Sequence, residues 1–446
     1  MIVLDDLNDW ITLLDKDAPI RTPNLQRLAE RGVTFTRAYC ASPSCNPSRT
    51  ATLTGLAPFA TGVYGNSSDW RGALPDAVTL PQHYRVHGYH AVGAGKIFHH
   101  HHGGAFHDAT SFDLLHALPW PLDAPMPPAK LNGLPDFGSA NTDWGPWPPA
   151  ETDALDVRTV DACIASLRSR TDDPGVKPLF LACGLFRPHM PFFAPEKWMQ
   201  TKHHKEVTMP VMKEDDLEDI PSGGRTLMAN AARFYTGMME AEALKQGSWR
   251  EAVRSYQAVA EFADAQVGRL LDALDTSPRG KDTIVVLWSD HGYQLGEKQC
   301  WEKFTLWEKA TRVPLIVVAP DVAAAGAVCE APVSLLDLYP TLIELCELDQ
   351  KPELHGQSLV PLLRDPDLTW RKPAVMTFEK GNHAVRSLRW RYICYADGSE
   401  ELYDHQSDRF EHHNLATQPK YAEILKEHRR WLPTINAPAV PNLKAK

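Results

Sequence analysis

The sequence predicts an α/β fold: a large, mostly parallel central sheet flanked by helices, with a small C-terminal α+β subdomain that contains a short antiparallel sheet. Three observations predict it. Short apolar or β-branched runs alternate with helical patterns through most of the 446 residues. Those runs are apolar on consecutive positions, as in strands covered on both faces. After Pro366 the alternation gives way to closely spaced short strands with a tight-turn signal. The expected division is therefore 1–365 and 366–446.

In chain order, strands are expected at 2–4, 89–94, 178–183, 283–288 and 314–319, each bounded by Gly, Pro or polar residues. Val160, Ile164 and Leu167 mark a helix before the third strand. Tyr256, Val259, Ala263, Val267, Leu270 and Leu274 recur at steps of three and four, one face of an amphipathic helix before the fourth. The stretch 118–149 holds nine prolines together with Trp120, Trp144 and Trp147. Proline at that density blocks helix and internal strand, so a long irregular loop is expected, and its tryptophans suit sugar faces. In the C-terminal unit, strands at 384–387, 390–395 and 401–403 flank an Asp397-Gly398 turn, and 421–431 forms a closing helix.

Composition narrows the function classes. The 46 Lys and Arg stand against 56 Asp and Glu, a formal net charge of −10. No positive excess is available to displace counterions, which argues against a nucleic-acid binder. With 43% hydrophobic and 23% charged residues the chain is of ordinary globular type. No apolar run approaches the roughly 20 residues that cross a bilayer, so no membrane partner is expected. The eight cysteines, at 40, 45, 163, 183, 300, 329, 346 and 394, include no C-x-x-C. That spacing argues against a disulfide scaffold or structural zinc and favours a reducing compartment. Residues 1–4 are too short for the apolar region of a signal peptide, leaving the cytoplasm, or the periplasm or exterior after processing. Oligomeric state is not legible.

Three segments carry chemistry. Asp5 and Asp6 directly follow an apolar strand, and Asp290 and His291 directly follow another. Ends of parallel strands converge on one edge, and three carboxylates meeting there repel unless a cation sits among them. In the second segment, Ser44 to Gly55, Pro47 fits the first turn of a helix, which puts Cys45 at or just before its N-terminus. Such an end favours an anion, and Arg49 one turn on adds a planar fork of donors for an oxyanion. Singly, each residue suits a plain structural role. Together they describe an anion-handling nucleophile.

These residues resemble a known family. Cys-x-Pro-Ser-Arg followed by Thr-x-x-Leu-Thr-Gly is the signature of type I sulfatases, whose cysteine is oxidised to Cα-formylglycine. Here Cys45-Asn46-Pro47-Ser48-Arg49 and Thr50 with Leu53-Thr54-Gly55 complete it. The resemblance spans most of the chain, including Thr22-Pro23-Asn24-Leu25 and Glu401-Leu402-Tyr403-Asp404, and implies the alkaline-phosphatase-like fold. It implies a metal site of Asp5, Asp6, Asp290, His291 and residue 45, with Ca2+ the usual ion; His291 stands where some members carry Asn and offers nitrogen. Lys96 and His99 resemble the family's sulfate-contacting Lys and the His at the formylglycine hydroxyl. His189 resembles the His facing the leaving group, and Lys303 the second sulfate lysine. These spacings look most like iduronate-2-sulfatases and their bacterial relatives.

The resemblance implies hydrolysis of a sulfated carbohydrate, possible substrates including a uronic acid 2-sulfate, in a small saccharide or terminal sugar. A maturation enzyme that generates formylglycine is the implied protein partner. One hydroxyl of the hydrated aldehyde attacks sulfur, while Arg49, Lys96, Lys303 and the metal neutralise the ester. His189 protonates the departing alcohol and His99 receives the proton as sulfate is expelled. Two rivals are a phosphonate monoester or phosphodiester hydrolase of the same superfamily and a non-catalytic sulfated-glycan-binding protein. The last would lack a core residue, and none is missing. Trp70, Arg71, Tyr293, the 118–149 stretch, Asn382 and His383 are the expected walls of the substrate pocket.

Overall fold

A computed structural model of the chain describes residues 1–99, 106, 108–117, 126–139, 141–169, 176–200 and 207–443. Trp120 and the histidines at 100, 101 and 102 lie outside the described residues. Nine strands form the central sheet. In order across it come Ala327–Cys329, Val33–Tyr39, Arg312–Val318, Val285–Ser289, Ile2–Asp5, Leu179–Pro188, His90–Gly95 and Leu114–His116, while Val333–Ser334 also pairs with Val33–Tyr39. Every pairing is parallel except the two made by Arg312–Val318.

All five expected strands are present. The third runs on to Pro188, well past its apolar core. Val33–Tyr39 was not expected, because Thr34, Thr36 and Arg37 break its apolar run into an alternation. That alternation is itself a strand signal where one face is less buried.

Consecutive apolar residues serve two cores. Ile2 and Leu4 face a layer with Tyr256, Val259, Ala263 and Val267 of the long helix Ser248–Asp275. Val3, pointing the other way, meets Leu53, Trp70 and Tyr339. Each large side chain so buried contributes about 1.5–3 kcal/mol, which explains why the strands carry no polar face. The helix Leu155–Arg168 joins the first layer through Val157, Val160 and Cys163.

Within 118–149 the structure departs from an irregular loop. Trp144–Pro146 pairs in parallel with Phe192–Ala194, and Trp144 is buried. An isolated two-strand ribbon leaves one edge free, so Pro146 removes no bond that a third strand would need.

The C-terminal sheet is antiparallel, ordered Ala374–Thr377, His383–Arg386, Trp390–Cys394 and Glu400–Asp404. Its first strand was not expected. Val385, Tyr392 and Leu402 on one face meet Leu425 of the helix Ala422–Arg429. Ala384, Ile393 and Tyr403 on the other face pack against Tyr39, Leu306 and Trp307. Among the described residues, no helix is long and apolar enough to cross a membrane.

Candidate active site

Four adjacent parallel strands end at one edge of the central sheet. Val285–Ser289 leads to Asp290 and His291, Ile2–Asp5 to Asp5 and Asp6, Leu179–Pro188 to His189, and His90–Gly95 to Lys96. Topology thus brings together residues scattered over nearly 300 positions. At Asp6 the backbone is left-handed, with φ of 67°. The Tyr256 hydroxyl fixes that turn, donating to the Asp6 carbonyl at 2.7 Å and accepting from the Asn8 amide at 3.0 Å.

Cys45 opens the helix Cys45–Thr54, every residue of which is buried. Asn66 Oδ1 holds its start, accepting from Ser44 Oγ at 2.8 Å and from the Asn46 amide at 3.0 Å. Ser48 Oγ donates to the Asp290 carbonyl at 2.5 Å. Arg49 Nε donates to Asp290 Oδ2 at 2.8 Å, and Nη1 donates to the Lys96 and Ile97 carbonyls. Its Nη2 is buried without a hydrogen bond, 3.3 Å from Asp5 Oδ1. A buried guanidinium donor left open suits an anionic ligand.

Around Cys45 Sγ stand His291 Nε2 at 3.1 Å, Lys303 Nζ at 3.4 Å and Asp5 Oδ1 at 3.7 Å. Lys96 Nζ pairs with Asp5 Oδ2, and Lys303 Nζ with Asp6 Oδ1 at 2.7 Å. Ligand-type atoms of Asp5, Asp6, Cys45 and His291 lie within 4.8 Å of one another. His291 Nδ1 faces the Gly292 carbonyl at 2.9 Å, which leaves Nε2 for the cluster. Two carboxylates and an imidazole fit a divalent cation. Asp290 stands beside this group: Oδ1 accepts from the Asp6 and His291 amides at 3.1 and 3.0 Å, and Oδ2 from Arg49.

Electrostatics follow from burial and crowding. Burial pushes the Cys45 thiol up, but Lys303, Lys96, His291 and His99 outweigh it and bring it well below its ordinary value. Burial likewise opposes ionisation of Asp5, while Lys96 and Arg49 hold it below the usual carboxylate range. Burial raises Asp290 to about 7 despite Arg49 and His291. Although burial disfavours the charged imidazole, Asp290 and Cys45 lift His291 to about 9. Arg49, Lys96 and Lys303 thus stand against Asp5, Asp6 and Asp290 in one buried cluster. His99, beside Cys45, is held down to about 4, chiefly by burial.

His189 lies at the rim, one quarter exposed, with Nδ1 donating to the Met190 carbonyl at 2.6 Å and Nε2 3.9 Å from Asp6 Oδ2. All ten residues named from the sequence therefore surround one site. The expected pocket walls fare differently. Tyr293 is fully buried, stacked on Tyr256 at 5.3 Å. Asn382 is spent on backbone groups, donating to the Phe378 carbonyl and accepting from the Ala396 amide. His383 is buried against Thr377 Oγ1 at 3.0 Å. Trp70 is a core residue stacked on Phe98, with Arg71 over its ring and paired to Asp108. Sequence reasoning passed over Glu302: burial, with Asp6 and Cys45 adding, raises it to about 7 against the pull of Lys303 and His189. Its place directly before Lys303 was the available signal.

Comparison with known proteins agrees with this geometry. The family model described as Sulfatase matches residues 1–348, and that of the N-sulphoglucosamine sulphohydrolase C-terminal region matches 296–437. A sulfatase of Formosa agariphila is 38% identical, over 98% of this chain and 86% of its own. A Δ4,5-hexuronate-2-O-sulfatase of Bacteroides thetaiotaomicron is 29% identical, over 92% and 82%. The solved phosphonate monoester hydrolase of Silicibacter pomeroyi superposes with a TM-score of 0.78 over 96% of this chain and 93% of that one. At 21% identity, that likeness speaks for a shared fold alone. With most of its length matched by the family model and its site assembled at the strand ends, the chain belongs to the sulfatase family.

Proposed function

We propose that the chain releases sulfate from a small sulfated saccharide or a terminal sulfated sugar. The observation that carries this reading is the meeting of Cys45 with Arg49, Lys96 and Lys303 beside the Asp5, Asp6 and His291 cluster. The relative that acts on a hexuronate 2-O-sulfate supports a uronic acid 2-sulfate as one candidate. Oxidised to Cα-formylglycine by a maturation enzyme, residue 45 would supply a nucleophilic hydroxyl and a second hydroxyl through which sulfate leaves. A divalent cation, calcium in our reading, would be held by Asp5, Asp6, Asp290, His291 and residue 45 and would offset the charge of the ester.

The remaining work falls to ordinary side chains. Arg49, Lys96 and Lys303 gather positive charge where sulfate oxygens would lie. With Nδ1 committed to the Met190 carbonyl, His189 directs Nε2 into the cleft and holds the proton that the departing alcohol takes. His99, neutral at pH 7, is available to accept a proton at residue 45. Against a net charge of −10, attraction for the substrate is local, which suits a short saccharide better than a long polyanion. All proposed site residues fall within 1–365, the catalytic unit in this reading, with 366–446 as its subdomain.

The test combines mass spectrometry of the peptide spanning residue 45, after co-expression with a formylglycine-generating enzyme, with sulfate release from a panel of defined sulfated saccharides. Conversion at residue 45 and turnover of at least one saccharide are expected. Asp290→Ala is expected to lower kcat at least about 100-fold with the fold retained by circular dichroism. Strong turnover of phosphonate monoesters or phosphodiesters with little sulfate release would replace this reading with the hydrolase one.

A further inference from the structure

Glu302 ends the short strand Trp301–Glu302, which pairs antiparallel with Gln294–Leu295. Trp301 is buried against Tyr293 and Phe192, at ring distances of 6.2 and 6.4 Å. Neighbouring side chains on a strand point to opposite sides, so the next one leaves that core. The backbone is left-handed at Glu302, φ 77°, and again at Phe304, φ 75°. Strain of this kind persists where the surroundings impose it. The two strained residues bracket Lys303, whose Nζ reaches Asp6 Oδ1 and Cys45 Sγ.

Glu302 directly precedes Lys303 and so borders the cavity that Lys303 enters. It is half-buried, and among the described residues no donor or cation lies within hydrogen-bond or ion-pair distance of its carboxylate. An unpaired carboxylate beside a site that gathers an anionic ester repels that ester. It also forfeits part of its own hydration. Both costs vanish if the substrate itself brings a donor.

We propose that Glu302 determines specificity: its carboxylate accepts a hydrogen bond from a hydroxyl or ammonium group on the carbon next to the sulfated one. The inference rests on the sulfatase reading above and narrows its substrate class to sulfate esters with a neighbouring donor. A hydrogen bond to a charged acceptor is worth about 10- to 100-fold in kcat/KM when its partner is removed.

Three esters test it on the mature enzyme, by sulfate release: cyclohexyl sulfate, trans-2-hydroxycyclohexyl sulfate and trans-2-aminocyclohexyl sulfate. The native enzyme is expected to prefer a donor-bearing ester over cyclohexyl sulfate at least about tenfold in kcat/KM. Glu302→Ala should bring that ratio close to one. Glu302→Gln keeps a neutral acceptor, so a hydroxyl preference should survive in part, whereas an ammonium preference should be lost. The two sources are thereby told apart. A native ratio near one, or a ratio unchanged by Glu302→Ala, overturns the proposal. If residue 45 is converted and sulfate is released from none of these esters and from no sulfated saccharide, the underlying sulfatase reading falls, and this proposal with it.

Discussion

Asp6 owes its orientation to a hydroxyl 250 residues away. Tyr256 donates to the Asp6 carbonyl and accepts from the Asn8 amide, and its ring is clamped by Tyr293 and Phe192. Removing only the oxygen frees the left-handed turn without opening a cavity. If Asp6 holds the divalent cation proposed above, Tyr256→Phe is expected to weaken its binding about tenfold, as loss of a supporting contact behind a ligand does. Calorimetric titration of the EDTA-treated protein with Ca2+ and Mg2+ measures it, and the melting temperature in EDTA should move far less than any rise on adding the cation that binds. An unchanged dissociation constant would reduce Tyr256 to a packing residue. In the sequence this tyrosine is one more apolar position on a helix face. Cys45, Arg49, Asp5 and Asp6 were legible because their meaning lies in local spacing. Tyr256, Asn66 and Glu302 were not, because theirs lies in what the fold sets beside them.

Elements place the site by where they stop. Lys96 enters it because His90–Gly95 ends in close approach to the middle of Leu179–Pro188. The Lys96 amide donates to the Gly184 carbonyl at 2.8 Å, and a Cβ on Gly184 would lie 2.1 Å from the Lys96 carbonyl oxygen. On the facing strand, Gly95 has φ of 78°, and a Cβ there would lie 2.0 Å from the Gly184 carbonyl oxygen. Gly184→Ala must push the two strands apart at Lys96. We expect a loss of about 1–3 kcal/mol in urea unfolding, together with a kcat that falls further than stability alone explains. Normal stability and normal kcat would show that the two strands yield without displacing Lys96. Central strands were readable from continuous apolar runs because both faces are buried. Val33–Tyr39 escaped through its alternation, and Trp144–Pro146 through its proline, a residue that excludes interior strands but not a two-strand ribbon.

At the scale of the molecule, buried charge ties the C-terminal sheet to Tyr39 of the central sheet and to Glu308. Glu308 accepts from the Tyr39 hydroxyl at 2.9 Å and Arg386 Nε at 3.2 Å, and pairs with Arg391. Arg391 Nε meets Glu411 at 2.7 Å, and His405 Nε2 meets it at 2.9 Å. Glu308, His405 and Glu411 form a metal-like cluster, but the buried guanidiniums already neutralise the carboxylates, so this is a lock rather than a cation site. A net charge of −10 disclosed nothing of it, since paired charges cancel in any sum. Its pH signature is distinctive. Burial opposes ionisation, yet Arg386, His405 and Arg391 hold Glu308 well below its ordinary 4.5. A lowered carboxylate stabilises the fold above pH 4.5 and loses that contribution only as pH falls through its folded value. His383 behaves differently: burial lowers it from 6.5 to about 4, so its contribution is full above 6.5 and is lost as pH falls towards 4. Glu308→Gln, which leaves Arg386 without its carboxylate while Arg391 keeps Glu411, should cost about 3–5 kcal/mol at pH 7 and leave the decline in stability between pH 7 and 5 unaltered. His383→Gln should make that decline shallower by its own share, with His99 keeping a like one. Urea midpoints at pH 7, 6 and 5 separate the two variants. A decline altered by Glu308→Gln rather than by His383→Gln would overturn this assignment.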